Sequence, residues 1–314
     1  MTGRLFRFVV ARIDGQIPAM TTDILLIGFG EAGSTFAAAG AWGARALAYD
    51  RDPARASVMA QMDVACRDRL DDAVRGAPMI LSLVTADQAL AVARDAAALI
   101  APGTLFCDMN SVAPQTKQAA AALVEAAGGH YVDVAVMAPV DPARLNVPLL
   151  LSGARAGDAE ARLRALGFAK TRVVGADVGR ASSIKMIRSV MVKGIEALTA
   201  ECVLAAAQAD VLDEVLASLD ASEKAKPWPV RADYNLDRML VHGTRRAAEM
   251  EEVVKTLDGL GTGAAMTRGT VARQAAIGAL GVKAPPEGLG AKIGVISSDG
   301  VSAKAEVTEF LGRA

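Results

Sequence analysis

The stretch "ILLIGFGEAGS", residues 24–34, decides the fold. An apolar run breaks into glycines spaced G-x-G-x-x-G, and an alanine-rich segment follows. A short apolar run closed by a turn signal reads as a buried strand, and the segment after it reads as a helix. In such a turn Gly28 permits the sharp reversal, Gly30 lets the backbone approach a pyrophosphate, and Gly33 lets helix and strand pack closely. The amides at the helix start then face the phosphates. Asp50 closes the next apolar run about twenty residues on, where a carboxylate accepts hydrogen bonds from ribose hydroxyls. It favours NAD as cofactor, while Arg51 beside it suits a 2′-phosphate and keeps NADP open.

Working outward, short apolar runs alternate with longer alanine-rich ones as far as residue 178. "DILLIGFG", "ARALAYD", "PMILSLV", "GTLFCDMN", "GHYVDVAVM" and "VPLLLSG" read as strands, and "STFAAAGAWG", "DQALAVARDAAALI" and "PQTKQAAAALVEAAG" as helices. This alternation predicts an α/β domain over residues 21–178, with a doubly wound, mainly parallel sheet covered on both faces. The candidate cofactor contacts are Gly28, Phe29, Gly30, Glu31, Ala32, Gly33, Asp50 and Arg51, with Val84, Thr85 and Asn110 following later strands.

After Gly179 the strand signal stops. Residues 181–209 place Ile184, Ile187, Met191, Ile195, Leu198 and Cys202 at steps of three and four. That is one apolar stripe along a helix on the order of 45 Å long, the expected spine between two domains. Further helices are expected near residues 211–219, 234–257 and 265–280, with "KPWPV" as a break and the Gly/Pro-rich "APPEGLGAKIGV" irregular. Residues 179–314 thus read as an all-helical second domain for substrate and dimerisation. Residues 1–20 read as an N-terminal extension: Arg12 and Asp14 interrupt the apolar run that a secretory signal needs.

Composition narrows the function. The 314 residues carry a net charge of -1 with 52% hydrophobic and 22% charged residues, which argues against nucleic-acid and membrane partners and for a small-molecule substrate. Cys66, Cys107 and Cys202 form no Cys-x-x-Cys pair, so no metal or disulfide framework is expected, and the usage fits a reducing cytoplasm. His130 and His242 are the only histidines, too few for a histidine-rich metal site.

The second informative stretch is "GRASSIKMIRSVMVKG", residues 179–194, in which Lys185 and Ser189 share a helix face distinct from the apolar stripe. Here the chain resembles the β-hydroxyacid dehydrogenase family, relatives of 6-phosphogluconate dehydrogenase, with its G-x-G-x-x-x-K-x-x-x-N motif. Gly179 and Lys185 match that motif, Ala181 replaces its second glycine, and Ser189 stands at its asparagine. The resemblance implies an N-terminal Rossmann domain, a homodimer, and Lys185 as the acid/base of hydride transfer to or from nicotinamide. A lysine partly desolvated in a cleft suits proton exchange near neutrality.

"CDMNSVAP" resembles the family's D-x-S-T-x-x-P turn, with Asn110 and Ser111 at the Ser–Thr pair. "DVAVMAPV" resembles its D-A-P-V-S-G-G substrate loop, but Met137, Ala138 and Pro139 replace Ser, Gly and Gly. Met137 brings no hydroxyl and Pro139 removes an amide, so a bulkier or less polar substrate is expected than the family's small 3-hydroxy acids. "HGTRRAAEMEEVVKTLDGLG", residues 242–261, resembles a bacterial subfamily whose C-terminal domain is of unknown function. On this helix His242 is a candidate proton carrier, and Arg245 or Arg246 a candidate partner for an anionic substrate group. Two rival functions stay open: an imine reductase, whose family shares the fold but generally lacks the lysine, and a non-catalytic redox sensor that binds the dinucleotide.

Overall fold

The computed structural model describes residues 23–222 and 225–298, so the expectation for residues 1–20 lies outside the described residues. The boundary between two compact units falls between Ser189 and Val190.

The first unit holds β1 (Ile24–Ile27), β2 (Ala46–Tyr49), β3 (Ala65–Cys66), β4 (Met79–Ser82), β5 (Leu105–Asp108), β6 (His130–Val136), β7 (Leu149–Ser152) and β8 (Thr171–Gly175), all but β3 and β8 from the expected apolar runs. They form one sheet in the order β3-β2-β1-β4-β5-β6-β7-β8. From β3 to β6 all pairs are parallel, the dinucleotide-binding order in which the topology reverses between β1 and β4. The period of two splits β1 between the sheet's faces: Ile24 and Leu26 join the core that includes Phe36, Trp42 and Phe168, whereas Leu25 and Ile27 join Phe106, Val124 and Tyr131.

The helices of this unit are α1 (Glu31–Ala39), α2 (Arg55–Gln61), α3 (Leu70–Val74), α4 (Ala89–Ala97), α5 (Pro114–Ala126) and α6 (Ala156–Ala165), followed by α7 (Arg180–Gln208), which runs on past the unit boundary. Three of them, α2, α3 and α6, were not expected, because they are short or rich in Asp and Arg. Strands β3 and β8 were missed for related reasons: one has two residues, and the other exposes Arg172 and Val173. Strand β7 runs antiparallel to β6, since only a loop with one short 3-10 turn joins them and no crossover helix intervenes.

The second unit carries the rest of α7 with α8 (Leu212–Ser222), α9 (Trp228–Leu260), α10 (Ala265–Gly278) and α11 (Leu289–Ser298). Pro229 sits in the first turn of α9, where a missing amide costs nothing. Helices α9 and α10 touch at Gly243 and Gly278: a Cβ on Gly278 would lie 2.2 Å from Thr244 N. The Gly/Pro-rich tail expected to be irregular becomes helical after Gly288. There the Lys292 ammonium of α11 is buried against α9, 2.8 Å from Asp233.

Of the expected stripe of α7, Ile184, Ile187, Met191, Ile195 and Leu198 are 37–71% exposed among the described residues, and Cys202 is half-buried. No described helix is long and apolar enough to cross a membrane. Among the described residues no group of three or more His, Cys, Asp or Glu side chains could hold a metal ion.

Candidate active site

The glycine turn follows from packing at two positions and from vacancy at the third. Gly28 has φ +97, and a Cβ there would lie 2.4 Å from Leu83 O at the end of β4. A Cβ on Gly33 would meet Gly28 O at 2.5 Å, so any side chain would push α1 off the strand. Gly30, the N-cap of α1, has φ -74, and its Cβ would meet nothing within 4 Å. The fold does not need glycine at this position. The open space lies where the amides of α1 point outward, as a pyrophosphate requires.

Asp50 is tied to this turn. Its Oδ2 accepts a hydrogen bond from Phe29 N (2.6 Å), and its Oδ1 one from Asp52 N (2.9 Å). The carboxylate therefore braces the glycine loop, and each oxygen keeps a second lone pair for a ribose hydroxyl. Gly28, Gly30, Asp50, Arg51, Val84 and Thr85 line one cleft at the carboxyl ends of β1, β2 and β4. The Phe29 side chain is fully buried in the core, and Gly33 is buried against Gly28; both shape the turn from beneath. These residues fit a nicotinamide dinucleotide.

A second cleft shares Leu83 and Val84 with the first. Asn110, Ser111 and Lys185 line it, together with Glu31 and Ala32 from the start of α1. Its remaining wall is apolar and includes Met109, Val136, Pro139 and Val140. Asn110 is fixed from both ends of its amide: Oδ1 accepts from Val84 N (2.7 Å), and Nδ2 donates to Ser82 Oγ (3.0 Å). Half-buried Lys185 donates from Nζ to Ser111 Oγ at 2.5 Å. The cleft thus sets the Lys185 amine and the Ser111 hydroxyl, with Glu31 and Asn110, against a partly apolar wall beside the proposed dinucleotide cleft.

Other candidates fall elsewhere. Met137 packs with Ala135, Leu150 and Ala181 and is not among the residues lining this cleft, because alternation along β6 turns Val136 towards it instead. Ser189 donates its hydroxyl back to Lys185 O (2.9 Å), the i−4 bond typical of a helical serine. His242, Arg245 and Arg246 are carried by α9 of the second unit; the first two are exposed, and Arg246 is half-buried with its Nε lacking a hydrogen-bond partner among the described residues.

The sequence reading missed a buried polar network beneath the second cleft. Lys117, fully buried on α5, donates from Nζ to Asp108 O (2.6 Å) and Asp108 Oδ1 (2.9 Å) and lies 3.5 Å from Asp133 Oδ1. Tyr131 OH donates to Asp108 Oδ2 (2.6 Å). Burial, then the Asp108 charge, push the Tyr131 hydroxyl upward, so it stays a donor. The available signal was periodicity: Lys117 shares the buried stripe of α5 with Ala120, Ala121 and Val124.

Comparison with known proteins places this geometry. Residues 23–168 match the model of the NAD binding domain of 6-phosphogluconate dehydrogenase, and residues 206–277 match a domain of unknown function, DUF1932. A conserved hypothetical protein from Sinorhizobium meliloti is 37% identical, with 90% of this chain and 97% of that one covered and a TM-score of 0.56. A second conserved protein of unknown function, described as structurally similar to 3-hydroxyacid dehydrogenases, is 25% identical over 90% of this chain and 98% of its own, with a TM-score of 0.53. An imine reductase from Pseudomonas sp. shares the fold at 19% identity, covering 83% of this chain and 95% of its own, with a TM-score of 0.65. The chain carries a nicotinamide-dinucleotide-binding domain and belongs to the 6-phosphogluconate dehydrogenase-like family, among members that bear the second domain of unknown function.

Proposed function

We propose that the protein is an NAD(P)-dependent oxidoreductase acting on a hydroxyl or carbonyl carbon, with Lys185 as general acid/base. The observation that carries this reading is the Lys185–Ser111 hydrogen bond in a cleft that shares Leu83 and Val84 with the dinucleotide cleft. Bound nicotinamide dinucleotide supplies the hydride acceptor or donor. Lys185 takes the hydroxyl proton as an alcohol is oxidised, or returns it to the oxygen as a carbonyl is reduced. Ser111 orients the lysine and the reacting oxygen. The apolar wall around them suits a bulkier, less polar substituent than a small 3-hydroxy acid carries.

Asp50 holds the ribose hydroxyls and favours NAD, with Arg51 placed to accept NADP. Should the substrate carry an anionic group, Arg245 or Arg246 is its proposed partner and His242 a second proton carrier. Met137 and Ser189 then act on substrate fit only through their neighbours. The exposed apolar stripe of α7 supports a homodimer, and the free thiols support a cytoplasmic setting.

The presence of Lys185 favours C–OH chemistry over imine reduction. Purified protein supplied with NADH or NADPH and a panel of aldehydes, ketones, hydroxy acids and cyclic imines tests this directly. Turnover of carbonyl or hydroxyl compounds is expected. Turnover confined to imines, or dinucleotide binding without turnover of any compound, overturns it in favour of the imine-reductase or sensor reading respectively.

A further inference from the structure

Lys117, Asp108 and Asp133 are each at most 1% exposed, and burying three charges carries a desolvation penalty that pairing must offset. Alanine or leucine would complete the stripe of α5 at no such cost. Geometry indicates what the charges accomplish, because each carboxylate serves a different element of the cleft above.

Asp108 governs the loop after β5. Its Oδ1 accepts from Asn110 N (2.8 Å), and Asn110 in turn is fastened to Val84 and Ser82, so the backbone leading into Ser111 is held on both sides. Asp133 governs the start of α7. Its Oδ2 accepts from Ser182 N (2.9 Å), Ser182 Oγ (2.9 Å) and Gly179 N (3.2 Å), and Ser152 Oγ, 3.3 Å from the same oxygen, also receives Ala181 N (3.0 Å). A carboxylate there satisfies first-turn amides and complements the helix dipole. Lys185 leaves the helix one turn further on.

Lys117 lies between the two carboxylates and is the cation that allows them to stand close together. Without it, like charges in a low-dielectric interior would repel and draw the Ser111 loop and the first turn of α7 apart. We propose that Lys117 is a positioning residue: through Asp108 and Asp133 it sets where Ser111 meets Lys185. This rests on the reading of Lys185 as acid/base, and Lys117 itself contacts neither of the two.

The test uses the full chain with NADH and follows acetylation of Lys185 by acetic anhydride at pH 8, quantified by mass spectrometry. Ser111→Ala, which removes a bond holding the ammonium, is expected to raise the labelling rate several-fold. Lys117→Met should reproduce that rise, and Lys117→Arg, which keeps the charge, should restore slow labelling. Where Lys117→Met does not fold, Ser182→Ala, which removes only one hydroxyl from Asp133, should give a smaller rise. Wild-type labelling in folded Lys117→Met, or in Ser182→Ala where Lys117→Met does not fold, overturns the proposal. The reading of Lys185 is judged separately, by turnover of Lys185→Ala, and survives that outcome.

Discussion

Lys185 and Ser111, 74 residues apart in the chain, meet through a hydrogen bond from Nζ to Oγ. One lies on the first turns of α7 and the other on the loop after β5, so their meeting depends on the sheet order that brings the end of β5 beside β6. If Ser111 orients the amine, Ser111→Ala should lower kcat about tenfold or more while leaving dinucleotide affinity within twofold. Steady-state kinetics with fluorescence titration of NADH checks both numbers.

Gly28 and Gly30 should respond differently to the same substitution. Gly28→Ala forces a Cβ onto Leu83 O at a positive φ and should destabilise the fold by about 2 kcal/mol. Gly30→Ala meets nothing in the protein and should stay within about 0.5 kcal/mol of wild type. Its dinucleotide affinity should nonetheless fall about tenfold or more, because the methyl enters the space assigned to the pyrophosphate. Urea unfolding and cofactor titration of both variants separate the two effects.

The contrast also shows what was legible in the sequence. The turn is legible in the spacing of Gly28, Gly30 and Gly33 with Asp50: Gly28 and Gly33 have steric reasons, Asp50 has a hydrogen-bonding one, and Gly30 alone leaves open space. The role proposed for Lys185 comes from family resemblance, since helical spacing alone does not distinguish it from a solvated lysine. Lys117 was hidden for the opposite reason: in an alanine-rich helix a lysine reads as a surface residue, and only the strand partners Asp108 and Asp133, brought by long-range pairing, account for its burial. The short edge strands β3 and β8 carried too few residues to show a period.

In the helical unit, a close glycine contact replaces interlocking side chains. Gly278→Ala would place a methyl against Thr244 N and should cost about 1–3 kcal/mol by forcing α9 and α10 apart. Thermal unfolding of the variant, followed by far-UV circular dichroism, checks it.

Glu201 closes the start of α10, accepting hydrogen bonds from Met266 N (2.9 Å), Thr267 N (2.9 Å) and Thr267 Oγ (2.6 Å). Burial opposes its charge, but these bonds outweigh the desolvation and hold its carboxyl below the ordinary 4.5. A depressed pKa contributes stability that is fully present above 4.5 and is lost as pH falls through the folded-state value. Glu201→Gln should therefore unfold at a lower temperature than wild type at pH 7, and the gap should narrow below about pH 4. A constant gap across that range would show that the charge is not what stabilises the helix start.

The central claim is that Lys185 exchanges the proton that accompanies hydride transfer. Its most direct test is single-turnover oxidation of NADH by Lys185→Ala, with a carbonyl compound reduced by the wild type and both enzymes saturated with cofactor. A loss of about hundredfold or more in the transfer rate, with dinucleotide affinity unchanged, is predicted. Hydride transfer at the wild-type rate in Lys185→Ala would contradict it.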